Sequence, residues 1–284
     1  MKISDWNDDN FTIPVPSVEE VQAMYDPPPA DFYEGGKGEI VAVGGASYLG
    51  PDVDADNSVH NMLLTAAWDL GPGNLWVLPR KSRLPYPFAP LYSLASLFKT
   101  EAMAKKKADW FLWLDDDVVV PKHLIRDLRA SAHPEDRPFV AAVGHDRYPP
   151  FRAAVWQPVK YGEVTARKQW VPWVPSSSEE MAMPTSGVHK VDTTGLCAAL
   201  FHRSFFDRVP QPWFAAIPPR IEDDGNVGSR ANPDSWLCQQ CQDCGMPVYV
   251  DCDVQIIHVG LPMPVHTGSA AILRSVFRGP NQCT

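Results

Sequence analysis

The chain has 284 residues, 45% of them hydrophobic and 21% charged, which is enough to bury a sizeable core and too apolar for disorder to be the default. Its 25 basic residues face 34 acidic ones. The resulting charge of −9 argues against a broad electrostatic grip on nucleic acid or anionic membrane and leaves room only for a local basic patch.

Residues 1–37, opening "MKISDWNDDNFTIPVP", are polar and proline-rich and read as an arm laid over a folded body. They lack the apolar core of a signal peptide, and no uninterrupted apolar run reaches the roughly 20 residues that span a bilayer. The expectation is therefore a soluble, cytoplasmic protein with no stable membrane insertion. From residue 38 the pattern alternates. "GEIVAVGG" reads as a buried strand ending in glycines, "NSVHNMLLTAAWDL" as a helix, and "NLWVLP" as a second strand. "PLYSLASLFKTEAMAKKKA" is a long helix feeding the strand "DWFLWL", and "FVAAVGH" is another short strand. Strands alternating with helices predict an α/β fold with a mostly parallel central sheet, whose ligands bind at the carboxyl ends of the strands.

Residues 147–190, rich in proline, serine and tryptophan, read as an irregular excursion over that end. "VHKVDTTGLCAALFHRSFFDRV" restores a strand and a helix, "NPDSWLCQQCQDCG" is a helix, and "MPVYVDCDVQIIHVG" supplies a final strand or two. The expected divisions are the arm at 1–37, a first half at 38–146, a second half at 147–260, and a tail or lid at 261–284. Many of the 29 prolines fall in stretches such as "DPPP", "LPYPFAP" and "AIPPR", which predicts long, stiffened loops.

The chemistry concentrates at "WFLWLDDDVVVP", where an apolar strand runs directly into Asp115, Asp116 and Asp117. Like charges about 4 Å apart repel by roughly 1 kcal/mol in water and by about 4 at an effective dielectric near 20. In an extended segment Asp115 and Asp117 share one side, which makes half of a hard-cation site for Mg²⁺ or Mn²⁺ completed by phosphates and water. The competing reading is a helix N-cap cluster. Pro121 at a first helical position would make Val120 the cap and leave the aspartates too far upstream.

These residues resemble the D-x-D segment of GT-A glycosyltransferases, in particular the large family 2 group. Two further blocks agree in order: the T-G of "VDTTGLCAALF", and a helix with Cys and Gly followed by a strand ending in H-x-G. The resemblance spans roughly residues 38–260 and implies a nucleotide-sugar-binding half at 38–146 and an acceptor-binding, catalytic half at 147–260, with His266, Arg274 and Arg278 of the tail as candidates to close over the diphosphate. It implies a GT-A (Rossmann-like) fold and a glycosyltransferase that moves a sugar from a UDP or GDP sugar to a hydroxyl. It also implies nucleotide contact by Asp115 and Asp116, and ligation of Mn²⁺ or Mg²⁺ by Asp117, Asp115 and His258. Asp234 falls on the aspartate of the family's E-D pair, the base of inverting members. Pro233 stands where the family usually has glutamate, so Glu222, Asp223 or Asp224 would have to supply that carboxylate.

Gly44 and Gly45 can let a nucleotide approach the backbone or make a tight turn. Asp52, with Asp54 and Asp56, is a candidate contact for base or ribose, and "PRKSR" brings cations near. The acceptor is open, with a saccharide first and a modified nucleic-acid base or a protein also compatible; the tryptophans at 156, 170, 173 and 213 are candidate sugar-stacking faces. Cys238, Cys241 and Cys244 read either as an iron–sulfur or zinc ligand set or, with Leu237, as an apolar helix stripe of reduced thiols; the stripe is preferred. The alternative functions are a sugar nucleotidyltransferase and a non-catalytic nucleotide-sugar binder.

Overall fold

The computed structural model describes residues 38–45, 53–79, 88–146, 152–161, 164–215, 233–259 and 264–265. By internal contacts the chain divides into Met1–Gly35 and Gly36–Thr284, and all of these residues belong to the second unit. In chain order it forms β1 (Val41–Gly45), α1 (Val53–Leu70), β2 (Leu75–Val77), α2 (Phe88–Ala104), β3 (Trp110–Leu114), β4 (Val118–Val119) and α3 (Leu124–Ser131). Then follow β5 (Phe139–Val143), β6 (Val155–Tyr161), β7 (Val164–Val171), β8 (Glu180–Ala182), β9 (Val188–Val191), β10 (Thr193–Thr194) and β11 (Ala198–His202). The last elements are α4 (Arg203–Arg208), α5 (Pro233–Asp243), β12 (Val248–Gln255), β13 (Ile257–Val259) and β14 (Pro264–Val265).

The central sheet has the order β2-β1-β3-β11-β5-β12-β9. β1, β2 and β3 pair in parallel, as do β5 and β12, while β11 runs antiparallel to both β3 and β5 and β9 antiparallel to β12. Most strands therefore point the same way. Strand alternation divides β3 between two cores. Phe111 and Trp113 pack with α2, α4 and α5 through Leu94, Leu97, Phe205 and Leu237. Trp110, Leu112 and Leu114 pack on the other side with Met62 and Ala66 of α1 and Leu124 and Leu128 of α3. Helices thus cover both faces of a mostly parallel sheet, the expected α/β class and a layout compatible with GT-A.

Gly44 has a packing reason for being glycine. A Cβ there would lie 2.8 Å from Phe111 Cε2 and 3.1 Å from Ser93 Cβ, so the close seat of α2 on β1 excludes a side chain. Ser93 Oγ donates to the carbonyl of Gly45 at 3.3 Å.

Three expectations are corrected. The segment 147–190 is not simply irregular: β6 and β7 form an antiparallel hairpin, extended by β8 and β10 into a second sheet of order β10-β6-β7-β8. Proline is tolerated at Pro158 because β10 reaches only Val155 and Trp156, leaving the rest of β6 with one paired side. The helix after the aspartates begins at Leu124 with His123 as its cap, because Val118–Val119 is drawn into strand pairing and Pro121–His123 forms a turn. Third, Asp116 and Asp117 lie in a turn, so strand alternation does not relate Asp117 to Asp115.

Candidate metal and nucleotide-sugar site

Three separated segments meet at the carboxyl end of β3. β11 is the first link: its register with β3 carries past Ala198 opposite Leu114, so that Asp115 N donates to the carbonyl of Cys197 at 2.9 Å. The same short loop then reaches α5, where Leu196 N donates to Asp234 Oδ2 at 3.3 Å. Gly195 fits this loop because a Cβ there would lie 3.1 Å from the Cβ of Ala154. Asp234 is in the first turn of α5, where the helix dipole favours its ionised form.

His258 arrives by strand pairing. β13 runs antiparallel to β4 with His258 opposite Val118, and Val259 N donates to the carbonyl of Asp117 at 2.8 Å. This places His258 Nε2 3.3 Å from Asp117 Oδ1, with the two side chains 9% and 19% exposed. On its other side the ring donates from Nδ1 to the carbonyl of His145 at 2.7 Å, because a carbonyl only accepts. The proton on Nδ1 leaves Nε2 as the lone-pair nitrogen of the neutral ring, aimed toward Asp117.

Asp115 continues the Phe111–Trp113 side of β3, and Trp113 Nε1 donates to its Oδ1 at 3.1 Å. Burial, then the charges of Asp234 and Asp117, push the Asp115 carboxyl up from its ordinary 3.8 to about 7, against the opposing pull of His258 and the Trp113 N–H. Asp234, Asp117 and His258 therefore all act on Asp115. Asp146, beyond the end of β5, belongs to the same neighbourhood. Burial raises its pKa against Gln169, Arg152 and His258, and Gln169 Nε2 donates to its Oδ2 at 3.3 Å. Sequence reading missed Asp146, along with the backbone of His145, Leu196 and Cys197. Only the placement of β11 between β3 and β5 gathers these groups.

Among the described residues no three His, Cys, Asp or Glu side chains converge into a ready-made cage for a metal ion. What the structure brings together is one contact, His258 Nε2 to Asp117 Oδ1, with Asp115 acted on by both and by Asp234. This donor set fits a hard divalent cation that takes its remaining ligands from water and a diphosphate, and the imidazole suits Mn²⁺ better than Mg²⁺.

The remaining candidates are distributed as follows. Asp116 is half-buried in the turn between Asp115 and Asp117. Asp52, Glu222, Asp223, Asp224, His266, Arg274, Arg278 and the cations of "PRKSR" lie outside the described residues. Asp56 pairs with His60 on α1 at 3.5 Å. Trp170 is wholly buried with its N–H on Gln157, and Trp213 is a buried wall against Phe98 and Phe206, so neither presents an open face for a sugar. Trp156 and Trp173 are half-buried. Cys238 and Cys241 pack in the core under α5 and Cys244 is exposed, all as free thiols. Burial raises Cys238 to about 12 and Cys241 further, the behaviour of inert core thiols.

No family model matches the chain, and no curated protein matches its sequence. Among solved structures it is similar to A197 from STIV, with a TM-score of 0.44 and 14% identity over 77% of this chain and 85% of that one. A second similar structure is a glycosyltransferase involved in the glycosylation of the major capsid of PBCV-1, with a TM-score of 0.29 and 11% identity over 61% of this chain and 69% of that one. Both scores are too low to carry chemistry from those proteins to this one.

Proposed function

We propose that the protein is a metal-dependent glycosyltransferase that moves a sugar from a UDP or GDP sugar to a hydroxyl acceptor, a saccharide first, with inversion. The observation that supports it is the gathering of Asp115, Asp117, Asp234 and His258 at one strand end, where burial and then the charges of Asp234 and Asp117 push the Asp115 carboxyl up to about 7. Asp117, Asp115 and His258 would hold Mn²⁺ or Mg²⁺. When bound, that ion neutralises charge on the departing nucleoside diphosphate.

The residues themselves divide the remaining work. Trp113 holds one oxygen of Asp115, and the His145 carbonyl holds the ring of His258, so both side chains are oriented by their neighbours. Asp234 is steered by the Leu196 N–H at the first turn of α5. An ionised carboxylate so held can take the proton of an acceptor hydroxyl as that oxygen attacks the anomeric carbon and the bond to the nucleoside diphosphate breaks.

The test is incubation with a panel of nucleotide sugars and Mn²⁺, with water or added saccharides as acceptor. Release of nucleoside diphosphate that disappears in Asp117→Ala is the expected result. Pyrophosphate release from a nucleoside triphosphate and a sugar phosphate would make the protein a nucleotidyltransferase instead, and tight nucleotide binding without turnover would make it a binder.

A further inference from the structure

We propose that the carboxyl end of α2, with the lysines that follow it, is a docking face for an anionic phospholipid surface. α2 turns Phe98, Lys99, Ala102 and Met103 to solvent, with Phe98 39% and Met103 76% exposed. Lys99 and Met103 stand one turn apart on the same side of the helix. Lys105, Lys106 and Lys107 follow, all exposed. Among the described residues, neither they nor Lys99 form an ion pair. Lys105 takes the left-handed φ of +51° that usually falls to glycine after a helix, so a cation occupies a position where the backbone favours no side chain.

A helix dipole accounts for a cation or two in the last turn. It does not account for Met103 standing in water beside them, or for the exposed part of Phe98. The acidic groups nearest in the chain are mostly engaged elsewhere: Glu101 with Arg203 and the Ala108 N–H, and Asp109 with the Ile40 N–H. Phe98 also lines a cavity of about 120 Å³ with Leu97, Phe206 and Trp213, whose polar lining comes from Asp109, Arg203 and Asp207.

The residue types select the partner. A nucleic-acid groove is read best by the bidentate fork of arginine, whereas these four cations are lysines, point charges suited to a diffuse field. Met103 has nothing to bury against on a phosphate backbone. A headgroup layer offers both halves, negative potential for the ammonium groups and an acyl boundary for Met103 and Phe98. Among the described residues no helix is long and apolar enough to cross a membrane, so the contact would be peripheral. The face adjoins the amino end of β3, and docking there leaves Asp115 and Asp117 at the opposite end of that strand.

Co-sedimentation of the full chain with phosphatidylcholine vesicles, with and without phosphatidylserine, tests this. Binding is expected only with phosphatidylserine and should weaken with added salt. The pair Lys106→Glu and Lys107→Glu should weaken it more than about tenfold, since each lysine near an anionic surface is worth about fivefold. Met103→Ser should weaken it about threefold or more while leaving the salt dependence intact. All three positions are exposed, so melting curves and nucleoside-diphosphate release should match the wild type. Absence of binding to the mixed vesicles overturns the proposal. So does binding that ignores these variants, or equally tight capture of duplex DNA that is indifferent to Met103→Ser.

Discussion

The two ends of β3 handle charge in opposite ways. At the amino end Glu39 takes two bonds of 2.7 Å from Arg129, Trp110 Nε1 donates to the same carboxylate at 3.2 Å, and the guanidinium lies 4.2 Å from the centre of the Trp110 ring. Asp109 accepts the Ile40 N–H at 2.7 Å. At the carboxyl end Asp117 and Asp234 both act on Asp115, and His258 is the one basic side chain that acts on it. At the amino end each carboxylate has a donor that serves the fold, whereas carboxylates gathered at a strand end with a raised pKa mark a candidate ligand site.

The sharpest way to break this contrast is substitution at both ends. Asp234→Asn should lower the rate of transfer by about 10²–10⁴-fold while the melting temperature changes little, as steady-state rates and calorimetry would show. Arg129→Ala should do the reverse. It strands Glu39 in a partly shielded place and should cost on the order of 2 kcal/mol, discounted because the pair keeps some exposure. That is a fall in Tm of roughly 5 °C in a domain of this size, with activity per folded molecule retained. Equal effects of the two substitutions on activity would erase the distinction.

A further effect separates the ends by pH. The Asp115 carboxyl sits near 7 in the folded chain and at 3.8 ordinarily. Between those values the native state keeps a proton that the unfolded chain has released. Stability from this group is therefore fully present below about pH 4 and is lost as pH rises through 7. In metal-free protein, Asp115→Asn should melt with the wild type near pH 4 and above it by pH 8. An advantage that shrinks with rising pH would contradict the assignment. The smallest effect is expected at Cys244→Ser, an exposed thiol, which should change stability by under about 0.5 kcal/mol. Elemental analysis of the wild type should find no stoichiometric iron or zinc on Cys238, Cys241 and Cys244.

The first half of the fold was legible because its strands are unbroken apolar runs, with every residue of β1, β3 and β5 buried. The second sheet was not, since Pro158 and the half-exposed positions of β6 blur the alternation that marks a strand. Asp115, Asp117, Asp234 and His258 were readable as a set only through their resemblance in order to a family. The physical cause of their meeting lies in pairings between distant segments. β11 inserts between β3 and β5, and β13 captures the two residues after the aspartates. Asp146 stayed hidden for the same reason, as did the carbonyl that sets the tautomer of His258. Local pattern places Asp117 beside Asp115 by alternation, but the turn at Asp116 and Asp117 brings them together by another route.

The central claim is that a divalent cation balances the surplus charge at the end of β3. Isothermal titration of Mn²⁺ in the presence of UDP or GDP tests it most directly, comparing the wild type with the Asp115→Asn, Asp117→Asn double variant. The account predicts one ion per chain for the wild type and none for the folded variant. Equal Mn²⁺ binding by both, or none by either, would contradict it.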